Sequence, residues 1–151
     1  YYRCIGWFRM NGTGSGELGT NGVSNFKDGD AANSVSTYDN TSDTLNDTSY
    51  GSDITNTGTY FVSSGRPVRI DFKFISYNGG ALTVKALVDI DGTDKTDSEV
   101  SSSQNTAGNT DSLYGFYVET LAAGEHIVTI QGKLDSSSAT ITSKLITITE
   151  L

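Results

Sequence analysis

Residues 68–92 read "VRIDFKFISYNGGALTVKALVDIDG", and this stretch decides the fold class. Val68, Ile70, Phe72 and Phe74 fall on every second position, with Arg69, Asp71 and Lys73 between them. Leu82, Val84, Ala86, Val88 and Ile90 repeat the pattern, with Thr83, Lys85 and Asp89 opposite. A period of two is the period of an extended strand with one buried face. Between the two runs stands Asn78-Gly79-Gly80, and after the second stands Asp91-Gly92. Both pairs tolerate positive φ, so each predicts a tight hairpin turn.

The same alternation continues toward the C-terminal side. "LYGFYVETL" (113–121) sets Tyr114, Phe116 and Val118 against Leu113, Tyr117 and Glu119. "EHIVTIQGKL" (125–134) sets His126, Val128 and Ile130 against Ile127 and Thr129. In "ATITSKLITITEL" (139–151), Ile146 and Ile148 are out of phase with Ile141, which predicts a β-bulge near Ser143–Leu145. The single proline, Pro67, sits at a strand start, where a missing N–H costs least. Residues 11–58 are Gly-, Ser-, Thr- and Asn-rich, with one strand expected around 34–39. No stretch carries a 3.6-residue period. The expectation is an all-β, antiparallel β-sandwich of jelly-roll topology forming one domain over 1–151. Within it, 1–33 is an N-terminal strand with loops and 34–151 is the jelly roll.

Composition narrows the function. The net charge is −8, with 10 basic against 18 acidic residues. That balance argues against a nucleic-acid partner, which needs a concentrated basic face, and against attraction to anionic membrane lipid. No window approaches the ~20 apolar residues of a membrane-spanning helix. The single cysteine, Cys4, rules out an intrachain disulfide and a cysteine-based zinc cluster, and it reads as a small buried residue.

Residue types that carry chemistry are few. Asp89, Asp91, Asp94 and Asp97 supply hard oxygen ligands, but Gly92 comes fourth from Asp89, the wrong register for an EF-type loop. They read as a solvated hairpin tip where nothing raises a carboxyl pKa. His126 is the only histidine and has no nucleophile motif beside it, so it reads as a packed, hydrogen-bonded structural residue. Of the acids near aromatic strands, Glu119 reads as a strand edge and Glu125 as a turn, and no aromatic groove flanked by two carboxyl groups is expected. No cofactor, metal or catalytic residue is assigned. The N-glycosylation patterns at Asn11, Asn40 and Asn46 carry little weight in a chain this rich in Asn, Ser and Thr. Trp7, Tyr77, Tyr114 and Tyr117 are the candidate interface or ligand aromatics.

"YYRCIGWFRMNGTGSGEL" (1–18) resembles a segment of structural proteins of tailed bacteriophages and their prophages, where "Y-R-x-I-G-x-x-R-T-N-x-x-G-x-I" leads into a C-terminal β-sandwich. Tyr2, Arg3, Ile5, Gly6, Arg9, Asn11 and Gly14 or Gly16 match in order, while Met10, Glu17 and Leu18 depart. "LAAGEHIVTIQGKL" and "LITITEL" resemble the closing strands of phage jelly rolls shaped like tumour-necrosis-factor and C1q heads. The resemblance implies a non-catalytic virion component at an extracellular location. Such a head is a homotrimer, used in capsid decoration or as a tail-fibre head contacting other virion proteins or a host-surface glycan. It also makes Tyr1–Met10 folded sequence belonging to the distal part of something longer. The rival expectation is a carbohydrate-binding module of a secreted protein, stacking sugars on surface tyrosines.

Overall fold

The computed structural model describes residues 7–10, 16–19, 34–54, 58–78, 80–104, 106 and 108–151. Two compact units divide between Asn33 and Ser34. In the first, β1 (Trp7–Met10) and β2 (Gly16–Gly19) form an antiparallel hairpin with Trp7 opposite Gly19 and Met10 opposite Gly16. Cys4 and Asn11 lie outside the described residues.

The second unit contains β3 (Ser34–Asp39), β4 (Asp43–Leu45), β5 (Ser52–Asp53), β6 (Thr59–Ser63), β7 (Pro67–Asn78), β8 (Leu82–Ile90), β9 (Thr93–Gln104), β10 (Thr110–Thr120), β11 (Gly124–Leu134) and β12 (Ala139–Glu150). Sheet one runs β10-β7-β12-β3, with β4 also on β12; sheet two runs β5-β11-β8-β9, with β6 also on β11. Pairing is nested. β3 and β4 pair with β12, β5 and β6 with β11, β7 with β10, and β8 with β9. First therefore meets last, and the ribbon rolls up on itself. The β7–β12 and β8–β11 ladders then close each sheet. This is a jelly-roll sandwich.

The opening stretch thus holds one surprise. Asp91 and Gly92 form the predicted hairpin turn, both at positive φ (54° and 80°). Asn78-Gly79-Gly80 does not: β7 and β8 belong to different sheets, and the chain crosses between them there. Each strand carries a long apolar run on one face, Val68 to Phe74 in β7 and Leu82 to Ile90 in β8, and stacking the two buries both. Pairing them side by side would leave that face for something else to cover. Val68, Ile70, Phe72 and Phe74 from β7 accordingly share one core with Val84, Ala86, Val88 and Ile90 from β8. Val128, Ile130 and Leu134 of β11 and Ile141, Ile146 and Ile148 of β12 complete it. Each of the valine, leucine, isoleucine and phenylalanine side chains stabilises by about 1.5–3 kcal/mol on burial.

Several elements were not legible from alternation, namely β4, β5, β6 and β9. Asp89, expected on the solvent face, is buried, and Glu125, expected in a turn, lies within β11.

The predicted bulge is present: the β7–β12 register shifts between Thr142 and Leu145, with Ser143 at φ 52°. Its consequence is unusual. The extra residue turns Lys144 inward, where its side chain is 1% exposed. The ammonium binds Asp39 at 2.8 Å, Thr41 Oγ1 at 3.3 Å and Asp43, so three donors meet three acceptors at the β3–β4 corner. Burial alone would lower the Lys144 pKa, but the bonds to Asp39 and Asp43 outweigh it and raise it. Asp39 is held down to about 2, chiefly by its bond from Lys144.

A second clasp holds the β8–β9 turn. His126 Nδ1 lies 2.7 Å from Asp91 Oδ2, and Nε2 lies 2.9 Å from the Ala122 carbonyl. The Ile127 N–H donates to Asp91 Oδ1 at 2.9 Å. Two acceptors facing one imidazole favour its protonated form. The His126 pKa is raised, first by Ala122 and then by Asp91, while Asp91 is lowered, first by the Ile127 N–H and then by His126.

Two outcomes follow for stability. Lys144→Ala takes the ammonium away from Asp39 and Asp43, although Asp39 keeps its two bonds from Thr41, and is expected to cost about 2–3 kcal/mol, the lower end for a broken buried pair because both acids still reach water. Urea unfolding measures it. The His126 contribution is fully present below its unfolded pKa near 6.5 and is lost as pH rises through its higher folded value. The Asp91 contribution is present above 3.8 and lost as pH falls through its lower folded value. With Asp91 about half exposed, the clasp is worth roughly 0.5–1 kcal/mol. Denaturation midpoints of the protein at pH 5.5 and 9 should therefore fall with rising pH by more than those of His126→Gln.

Candidate functional site

The site begins with which face of β10 turns inward. Leu113 is buried, and Gly115 sits so tightly on Phe72 that an added Cβ would lie 2.3 Å from its ring. Tyr117, on the same face, is half-buried and packs against the core. The opposite face therefore points outward, leaving Tyr114, Phe116 and Val118 between 46% and 56% exposed. Across the ladder they stand beside Lys73, Asp71 and Arg69 of β7.

That neighbourhood fixes the aromatic side chains in place. Arg69 grips Asp71 through Nε at 2.8 Å and through a second nitrogen at 2.8 Å, and it reaches the Tyr114 hydroxyl at 3.2 Å. The Tyr114 O–H donates to Asp71 at 2.5 Å, and the guanidinium lies 4.8 Å from the centre of the Phe116 ring. Asp71 is held below the usual carboxylate range, foremost by Arg69. The result is a stiff row of one aliphatic and two aromatic side chains stitched to an arginine.

β10 pairs with β7 on one side, and no strand among the described residues covers its other edge. The edge of β9 is equally open but carries Lys95, Asp97 and Glu99, the charges by which natural sheets discourage pairing. The outward face of β10 has none over Tyr114–Val118. Between the two edges runs a groove of about 420 Å³ lined by Asp97, Glu99, Tyr114, Phe116 and Tyr117 among others. Its two acids, Asp97 and Glu99, both belong to the β9 wall. Glu99 is tied up, accepting from Tyr50 at 2.7 Å and Lys85 at 3.0 Å, and those bonds, Tyr50 first, lower its pKa. That suits an ionised hydrogen-bond acceptor and not a proton donor. Glu119 pairs with Lys95 at 2.8 Å.

The acidic run is dispersed by the fold. Asp91 serves the histidine clasp, and Asp89 is buried, accepting from the Gly92 N–H at 2.9 Å. Burial foremost raises the Asp89 pKa, contrary to the reading of a solvated tip. Among the described residues, no group of three or more His, Cys, Asp or Glu is placed to hold a metal ion.

Of the four candidate aromatics, Tyr114 lies in the exposed row and Tyr77 is exposed near the end of β7. Tyr117 faces the core, and Trp7 stands in β1 opposite Gly19. Phe116 and Val118 were missed, as was a second exposed cluster of Tyr60, Val62 and Ile127 on β6 and β11. Gly115 was the available signal: the face holding the glycine packs closest to the core.

No family model matches the chain, and no curated protein matches it. Solved structures resemble its fold. Eiger TNF from S. frugiperda aligns with a TM-score of 0.52 at 8% identity, over 80% of this chain and 93% of that one. A chain of the T13 IBDV viral particle aligns with a TM-score of 0.52 at 8% identity, over 89% of this chain and 33% of that one. Dimeric latent PorU from Porphyromonas gingivalis gives 0.46 at 12% identity, over 80% of this chain and 13% of that one. This chain thus spans a small part of PorU and a third of the viral-particle chain. Its jelly-roll fold is similar to those of a tumour necrosis factor and of a viral-particle protein.

Proposed function

We propose that this chain is a bacteriophage virion structural protein, a trimeric jelly-roll head acting in capsid decoration or host-surface attachment without catalysis. The observation that carries the reading is the row of Tyr114, Phe116 and Val118 on the outward face of an open edge strand. Tyrosine, phenylalanine and arginine are the residues enriched at interface centres, and here Arg69 already holds the two rings in one arrangement. A pre-set row loses little side-chain entropy on docking. Three copies then present their loops together, so weak single contacts add up in multivalent binding. The resemblance of residues 1–18 to tailed-phage structural proteins supplies the virion context.

The groove beside the row favours a second reading, a carbohydrate-binding module, since aromatic rings with carboxylate acceptors suit sugar hydroxyls and ring faces. The two readings use the same side chains and separate experimentally. Sedimentation of the chain at micromolar concentration is expected to give a trimer. Phe116→Asp should weaken assembly at least ~30-fold, the ~2 kcal/mol of an interface hot spot. A clean monomer for the unmodified chain, together with retardation in polysaccharide gels lost in Phe116→Asp, would transfer the assignment to the carbohydrate module.

A further inference from the structure

We propose that the sandwich holds a calcium-class cation between its sheets, at the C-terminal end of β7. Five polar side chains stand on inward-facing positions there: Ser76 and Asn78 of β7, Ser102 and Gln104 of β9, and Asp111 of β10. Ser76 and Asp111 are opposite one another in the β7–β10 ladder. Gln104 Nε2 donates to Ser76 Oγ at 2.9 Å, and Ser102 Oγ donates to Asp111, so both bonds cross from one sheet to the other. Ser76 and Asn78 are 0% exposed and Gln104 is 5% exposed.

A jelly-roll core has no need of amides at such depth. The Asn78 amide is oriented by its Nδ2–H, which donates to the Gly80 carbonyl, leaving Oδ1 directed elsewhere. The Gln104 amide is oriented by Ser76, leaving Oε1. Both oxygens are buried without a hydrogen-bond partner among the described residues. Two unmet carbonyl oxygens beside a carboxylate and two hydroxyls form an oxygen-only set of the kind that suits a hard cation. Flexible spacing and amide ligands favour Ca²⁺ over Mg²⁺, which demands a tight octahedron. One carboxylate is little charge for a divalent ion, so the affinity belongs to the range of extracellular modules, on the order of 10⁻⁴–10⁻³ M.

Asn78 also explains what binding would accomplish. Its N–H donates to the Asn109 carbonyl at 3.3 Å, and its carbonyl accepts from the Gly108 N–H at 2.9 Å. An ion on Oδ1 would therefore brace Gly80 and the 108–109 segment together.

The test uses the full chain after chelator treatment. Tb³⁺ is added with excitation of tyrosine, Tyr77 being next to Asn78 in sequence, and emission is then displaced with CaCl₂. Saturable emission displaced by millimolar Ca²⁺ but not by equal Mg²⁺ is expected. A rise of roughly 5 °C in melting midpoint at 10 mM CaCl₂ should accompany it. Asp111→Asn and, separately, Gln104→Met should each weaken Ca²⁺ at least tenfold while keeping the β-sheet circular dichroism of the parent. Absence of saturable emission and of a Ca²⁺-dependent shift means that the two oxygens are met by water, and the proposal fails. Binding unchanged in both folded variants places the ion elsewhere and equally overturns it.

Discussion

The domain depends on β12 being paired on both sides, with β7 along one edge and with β3 and β4 along the other. Remove that strand and sheet one separates into β10–β7 and two short strands that hold no ladder of their own. The inward Ile141, Ile146 and Ile148 then leave the core open beneath β8 and β11. The bulge is what lets one strand serve both β3 and β4. It bends β12 at the corner where the partner changes, and Lys144 ties that corner to Asp39 and Asp43. A buried ammonium is a costly pin, tolerable here because each of its donors has an acceptor.

The two free edges on the other side of the sandwich are treated differently, and the difference is functional in kind. β9 is charged, and its lysine is spent on Glu119 across the gap. β10 carries an outward aromatic row held by an arginine network that serves no purpose in the core.

Fold class and most of the long strands were legible because β7, β8, β10, β11 and β12 bury one face and alternate accordingly. The bulge was legible from the phase change between Ile141 and Ile146, but not the fate of Lys144, since a sequence does not say into which layer the extra residue turns a side chain. β9 was hidden because its inward positions are Ser98, Val100, Ser102 and Gln104, so polar groups occupy the apolar phase. Asn-Gly-Gly misled because a turn signal fixes a reversal locally and not whether the reversed strand pairs or stacks. For β10, both faces carried large apolar residues, and only the packing of Gly115 on Phe72 decides which looks outward. Tyr117 and Phe116 exchanged places for that reason alone.

Nested pairing also dictates a temporal order. Ser34 and Thr149 share a hydroxyl contact across 115 residues, and Ser36 and Thr147 across 111. Bringing such distant segments together forfeits chain entropy before any contact repays it, so folding belongs to the slow end for domains of this size. On the ribosome, β3 must wait for nearly the whole unit to emerge before its partner exists. In the last part of that interval the unclaimed aromatic row of β10 is also synthesised and open to wrong neighbours. The polar character of β3–β5 is then a kinetic provision: the strands that wait longest are the ones with least to aggregate.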